Sequence, residues 1–79
     1  MSAELEVVVV SPQRVLYRGK ADQLIFPGEA GVFEVLPHHR KIVSRLLPGY
    51  MFIDGQGMRI KRGVVKAGLN KVTVIVEEP

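Results

Sequence analysis

The chain contains no cysteine. Its 79 residues must therefore close a core by packing alone, without disulfides, a thiolate metal site or a thiol nucleophile. Long apolar runs are missing too. The longest, Val7–Val10, is far short of the ~20 residues that cross a bilayer. The N-terminus has neither a basic region nor a long apolar core, so a soluble chain with no secretion signal is expected. No internal repeat, low-complexity tract or linker interrupts the sequence, and composition marks no domain boundary.

What is present fits one small domain spanning residues 1–79. A chain this short buries only roughly 60% of its unfolded surface, so its core must be continuous and well patterned. Hydrophobic residues at 47% and charged residues at 24% give a globular balance. Eleven basic against eight acidic residues leave a formal charge of +3, which suits an acidic partner, a membrane surface or nucleic acid. Most of the basic residues fall in two stretches, Arg40 to Arg45 and Arg59 to Lys66.

Period-two alternation dominates the pattern. Leu5, Val7 and Val9 alternate with Glu6, Val8 and Val10, which puts one apolar row on one strand face, and Ser11-Pro12 ends the strand. Val15 to Tyr17 reads as a short strand, Gly19 as a turn or bulge, and Lys20 to Phe26 as a longer strand closed by Pro27-Gly28. Val32 to Leu36 follows and stops at Pro37. Lys41 to Leu47 suits a helix by spacing, but its β-branched residues and the Pro48-Gly49 stop favour a strand. Tyr50 to Ile53 and Met58 to Arg62 flank a four-residue hairpin connection, Asp54-Gly55-Gln56-Gly57. Val64 to Ala67, a turn at Gly68 to Asn70, and Lys71 to Glu77 complete an all-β pattern of sandwich or barrel type.

Chemistry finds little to stand on. His38 and His39 are adjacent, so in an extended segment they point to opposite sides and cannot readily share a metal. Ser11 and Ser44 lie in no nucleophile elbow, and Asp22, Glu29 and Glu34 have no spacing that forces a carboxylate pair. Gly28-x-x-Gly31 and Gly55-x-Gly57 lack the Lys-Ser/Thr ending of a phosphate loop and read as turns. Neither an enzyme, a metal site nor a cofactor is expected. A small basic OB-like barrel binding single-stranded nucleic acid is the rival reading. It could enlist Tyr17, Phe26, Phe33, Tyr50 and Phe52. Against it, Met51 and Ile53 are apolar alongside Tyr50 and Phe52, so both faces of that strand read as buried.

One ordered set of short motifs is more informative. Val10-Ser11-Pro12, Gly19, Pro27-Gly28-Glu29-Ala30-Gly31-Val32-Phe33-Glu34-Val35-Leu36-Pro37, His39, Leu46, Pro48-Gly49, Gly63 and Asn70 to Val74 run from about Leu5 to Val76 without an evident gap. The set resembles the head domain of the epsilon subunit of F-type ATP synthases. That resemblance implies a flattened ten-stranded β-sandwich of short, mostly antiparallel strands. It also implies a non-catalytic central-stalk role, in which a protein monomeric when isolated couples the gamma subunit to the membrane rotor (c-type) ring. Its place would be peripheral, on the cytoplasmic side of an energy-coupling membrane, with no membrane insertion and no nucleic acid bound.

The family usually continues into a two-helix hairpin on which ATP binding and inhibition depend, and here the chain ends within a few residues of the last strand. Neither property is expected of it. In the family the loops at residues 29–32 and 38–41 face the ring at one end of the sandwich, so Glu29, Val32, His38, His39, Arg40 and Lys41 are the expected ring contact. The departures gather in the same region. Val32 takes an often acidic position, Glu34 and His38 replace glycines, and Arg40-Lys41 replaces a small residue and proline. The gamma contact is unknown from sequence.

Overall fold

Alternation at period two carries through most of the chain, and the computed structural model, which describes residues 4–79, turns it into nine strands. The first three residues of the expected 1–79 domain lie outside the described residues. In order these are β1 (Leu5–Val10), β2 (Val15–Ala21), β3 (Leu24–Gly28), β4 (Gly31–Val35) and β5 (Ile42–Leu46). They continue with β6 (Gly49–Ile53), β7 (Gln56–Ile60), β8 (Arg62–Gly68) and β9 (Lys71–Glu77). The fold is all-β as expected, with nine strands among the described residues where the resemblance implies ten. Residues Ile42–Leu46 form a strand, which settles the helix-or-strand ambiguity there.

The strands run β2-β1-β9-β8-β5-β3-β6-β7, with β4 beside β3. All pairs are antiparallel except β1 and β9, where Val7 lies level with Val72 and Val9 with Val74. β3 meets β5 at one rung only, Gly28 with Leu46, before pairing with β6 through Leu24 and Ile25. That short junction is the crease at which the sheet curls over on itself. The inward rows from both sides of the crease then form a single buried cluster. It includes Leu5, Val7 and Val9 of β1, Leu24 and Phe26 of β3, Met51 and Ile53 of β6, and Val72, Val74 and Val76 of β9. Burying such side chains contributes about 1.5–3 kcal/mol each, which is what a cysteine-free chain has to rely on.

Several boundaries differ from the sequence reading, each for a local reason. β2 passes straight through Gly19, because the Tyr17 ring lies along it and its hydroxyl donates to the Lys20 carbonyl at 2.9 Å. The break falls instead at Asp22-Gln23, whose two backbone N–H groups donate to Asp54 Oδ1 at 2.9 Å each. Pro27 does not stop β3. It pairs with Val32 on β4, and its carbonyl accepts the Leu47 N–H at 2.8 Å, so only its missing donor is lost to the ladder. The β6–β7 connection is a two-residue turn, not four, with Asp54 and Gly55 at φ 47° and 84°. Both positive values match the primed turn that follows strand twist. Lys61 separates β7 from β8, and Gly63 lies inside β8.

Candidate interaction surfaces

Two outer faces and, among the described residues, the free edges of β2, β4 and β7 remain once the core is closed. On β6 the inward residues Met51 and Ile53 are buried while Tyr50 is 55% exposed and Phe52 half-buried. The expectation that both faces of this strand are buried is therefore wrong. Alternation operates here as elsewhere, and Met51 and Ile53 alone supply the core. The two rings stack at 6.3 Å between centroids and 26° between planes, over Gly57 on β7. Arg59 lies level with Tyr50. Their display was legible only through register, since Phe52 opposes a glycine.

The other outer face belongs to β2-β1-β9-β8-β5. Lys20, Arg18, Lys71, Lys66 and Arg45 project from it as exposed residues, and Val64 and Ile75 stand opposite each other, also exposed. Five exposed bases thus lie away from the two rings, beside which stand Arg59 and Lys61.

The six expected ring-contact residues are not brought together at one end. Glu29 sits in the turn between β3 and β4, near Leu46, Leu47 and Glu77, and His38 to Lys41 follow the other end of β4. Five extended residues span about 16 Å, so this strand holds the two loops well apart. The common feature is β4 itself, whose one hydrogen-bonded neighbour among the described residues is β3. Val32, 75% exposed, lies along it. Between the loops, Glu34 accepts a short hydrogen bond from the Gln23 side-chain amide.

Within the second loop the four residues play unequal parts. His38 adopts φ 66° and its backbone N–H donates to Asn70 Oδ1 at 2.7 Å. His39 turns one ring nitrogen, Nδ1, onto the Arg40 carbonyl, and its Nε2 is shielded from solvent without a partner. It presents no outward donor. Arg40 and Lys41 are exposed and carry the positive charge of this loop. Among the described residues no group of three His, Cys, Asp or Glu could hold a metal ion.

Two ion pairs fix the end of β9. Arg14 Nη2 lies 2.6 Å from Glu78 Oε1, and Arg62 Nε lies 2.5 Å from Glu77 Oε2. Ser11, buried where β1 ends, caps the loop by accepting the Gln13 and Arg14 N–H groups at 3.2 Å each. It donates to Glu78 Oε2 at 3.1 Å. Hydrogen bonding to Arg14 holds the Glu78 carboxyl below the ordinary carboxylate range, against the desolvation that opposes it and with Ser11 assisting. Arg62 does the same for Glu77. A separation of 64 residues between Arg14 and Glu78 leaves no signal in sequence for this clamp.

The family model for the ATP synthase delta/epsilon chain β-sandwich domain matches residues 4–78. The chain is 35% identical to the ATP synthase epsilon chain of Leptospira interrogans over 98% of its own length and 65% of that relative. It is 37% identical to the epsilon chain of Maricaulis maris over 99% of itself and 62% of the relative. Each of these alignments extends over 82 residues, more than the chain contains, so each includes short gaps in this chain. The chain thus spans about two thirds of the length of these relatives.

Among solved structures, the fold is similar to a chain of the Euglena gracilis mitochondrial ATP synthase, in a structure of OSCP, F1 and c-ring. The TM-score is 0.87 with 16% identity, over 99% of this chain and 53% of that one. A chain from the central stalk and c-ring structure of the Tetrahymena thermophila mitochondrial ATP synthase matches at a TM-score of 0.82 and 15% identity. It covers 96% of this chain and 65% of its own. By sequence and fold together, this chain belongs to the β-sandwich domain family of the ATP synthase delta/epsilon chain.

Proposed function

We propose that this chain is a non-catalytic central-stalk component of an ATP synthase, joining the gamma subunit to the membrane rotor ring on the cytoplasmic side of the membrane. The family match over residues 4–78 carries this reading. Its physical support is a continuous sheet that, among the described residues, leaves apolar side chains such as Tyr50, Val64 and Ile75 on its outer faces. A small domain that leaves such residues uncovered is built to be covered by something else.

The gamma subunit docks, in this reading, on the Tyr50–Phe52 face. Exposed aromatic rings of this kind are enriched at the centres of protein interfaces, because they bury large areas at low entropic cost. The ring contact runs along the β4 edge, the one line that includes Glu29, Val32 and the His38 to Lys41 loop. Co-purification with the cognate gamma subunit at moderate salt is the direct test. Tyr50→Ser should weaken that complex about tenfold or more while leaving the strand intact, since a hot-spot aromatic carries about 2 kcal/mol. A wild-type chain that fails to retain gamma would remove the rotor assignment.

A further inference from the structure

No cysteine is present, so the sulfur chemistry of the chain rests on its three methionines, and two of these, Met51 and Met58, lie among the described residues. They face each other across the β6–β7 ladder. Met51 is fully enclosed, whereas Met58 is half-buried and packs against the core from β7, whose one hydrogen-bonded neighbour among the described residues is β6. Three residues of β7 point inward by alternation, and of these Met58 and Ile60 meet the core while Gln56 is exposed. Gly57, next to Met58, lies beneath the stacked rings: a Cβ built there would stand 3.1 Å from Phe52 and 3.4 Å from Tyr50. Met58 therefore holds from the inside the stretch of backbone on which the rings rest outside.

We propose that Met58 is a reversible oxidation site, at which a peroxide converts the thioether to a sulfoxide ahead of Met51, loosens β7 and unseats the Tyr50–Phe52 stack. The sulfur attacks one oxygen of hydrogen peroxide, the O–O bond breaks, and the departing hydroxide takes up the proton left on the transferred oxygen to form water. Sulfur gives up two electrons and the peroxide gains them. Reduction returns the oxygen as water at the expense of two thiols, which become a disulfide. Access sets the order of reaction. β7 is an edge strand that opens before the strands inside the sheet, so peroxide meets Met58 first and Met51 only once β7 has left it. Polarity sets the consequence. A sulfoxide oxygen is a strong hydrogen-bond acceptor, and the cluster that Met58 packs against is apolar, so the oxidised side chain turns out to water. β7 then keeps Ile60 alone as its inward anchor, and Gly57 moves from under the rings. The site stands on burial and register and does not rest on gamma docking.

The test treats the 79-residue chain with hydrogen peroxide and follows each methionine by site-resolved mass spectrometry. Met58 should oxidise at least about tenfold faster than Met51, as exposure dictates. The chain oxidised at Met58 should unfold at lower urea and lose near-ultraviolet tyrosine signal from the stack, and methionine sulfoxide reductases should restore both. Met58→Leu, close in volume and inert to peroxide, should keep its urea midpoint and its tyrosine signal through the same treatment, with Met51 still present. Met58→Ile replaces it if it fails to fold. The proposal falls if Met51 reacts as fast as Met58, if oxidation of Met58 leaves midpoint and signal unchanged, or if Met58→Leu loses as much as the parent. Gamma retention adds a separate arm, in which oxidation should reduce it in the parent and not in Met58→Leu. A reduced chain that retains no gamma sinks the rotor reading and leaves the oxidation site standing on its other readouts.

Discussion

Asn70 Oδ1 accepts the backbone N–H of His38 at 2.7 Å, and the Asn70 carbonyl accepts the Glu6 N–H at 2.8 Å. One residue of the β8–β9 turn thus ties the loop after β4 to the start of β1. Asn70 and its neighbour Leu69 are both left-handed, at φ 59° and 50°, a conformation asparagine tolerates better than most residues.

Two substitutions separate these roles. Asn70→Gly keeps the turn and loses the side-chain bond, at a cost of about 1 kcal/mol. Asn70→Ala loses both and should cost about 2 kcal/mol. Urea unfolding of the two variants measures the difference. Equal midpoints would mean that the left-handed turn is not what asparagine supplies here.

Gly63 offers a second check. A Cβ built there would stand 2.4 Å from the Ile75 carbonyl oxygen and 2.8 Å from Val76 Cγ1, so strands β8 and β9 must shift to admit it. Gly63→Ala should destabilise by roughly 1–3 kcal/mol, as overpacking does. Gly55 is the contrast, with open space around it but φ 84°. Gly55→Ala should cost about 1–2 kcal/mol through backbone strain alone. A structure of the Gly63 variant with unmoved strands would contradict the steric account.

The carboxylates at the end of β9 set a pH dependence. Both Glu77 and Glu78 have folded-state values below the ordinary range, chiefly through hydrogen bonds from Arg62 and Arg14. Their contribution is therefore complete above the unfolded carboxylate value of about 4.3 and is lost as pH falls through the lowered folded values. Glu78→Gln should lower thermal stability at neutral pH, and the gap to the parent should close in acid. Melting curves across that range decide it, and a gap that widens in acid would reverse the assigned sign.

Native-state hydrogen exchange should find the slowest amides in Leu5–Val10, Leu24–Phe26 and Val72–Val76. β1 and β9 each lie between two hydrogen-bonded neighbours, and β3 borders three strands. The edge strands β2, β4 and β7 should open first. Maximal protection in β7 would contradict the strand order.

The sequence showed the strands well because each carries its own alternation, and Leu5, Val7, Val9, Val72, Val74 and Val76 all face inward as their spacing requires. Boundaries were less legible where a distant partner sets them. The break at Asp22-Gln23 depends on Asp54, and the continuation of β3 through Pro27 depends on β4 and Leu47. The parallel β1–β9 pair and the Ser11–Arg14–Glu78 clamp join opposite ends of the chain, so no local pattern announces them. The candidate ring residues came from the resemblance, and no local pattern in sequence says how far apart their two loops lie. An extended strand between them puts them at opposite ends.

The ring contact gives the last prediction. If it runs along β4, both ends of that strand take part, and each can be weakened separately. Replacing Arg40 with alanine and Lys41 with proline restores the small residue and proline usual in the family. Both positions are exposed in the loop just before β5, so folding should survive. Glu29→Ala with Val32→Ala changes the other end without touching the core. Each double variant should reduce coupled ion pumping in the reassembled synthase. The Arg40/Lys41 variant should also lose part of the salt dependence of assembly, because exposed charges act over a Debye length of about 8–10 Å and are screened beyond it. A defect in only one variant would place the contact at that end of β4 alone. Full pumping and unchanged assembly in both, at every salt concentration, would show that the edge of β4 is ordinary solvated surface.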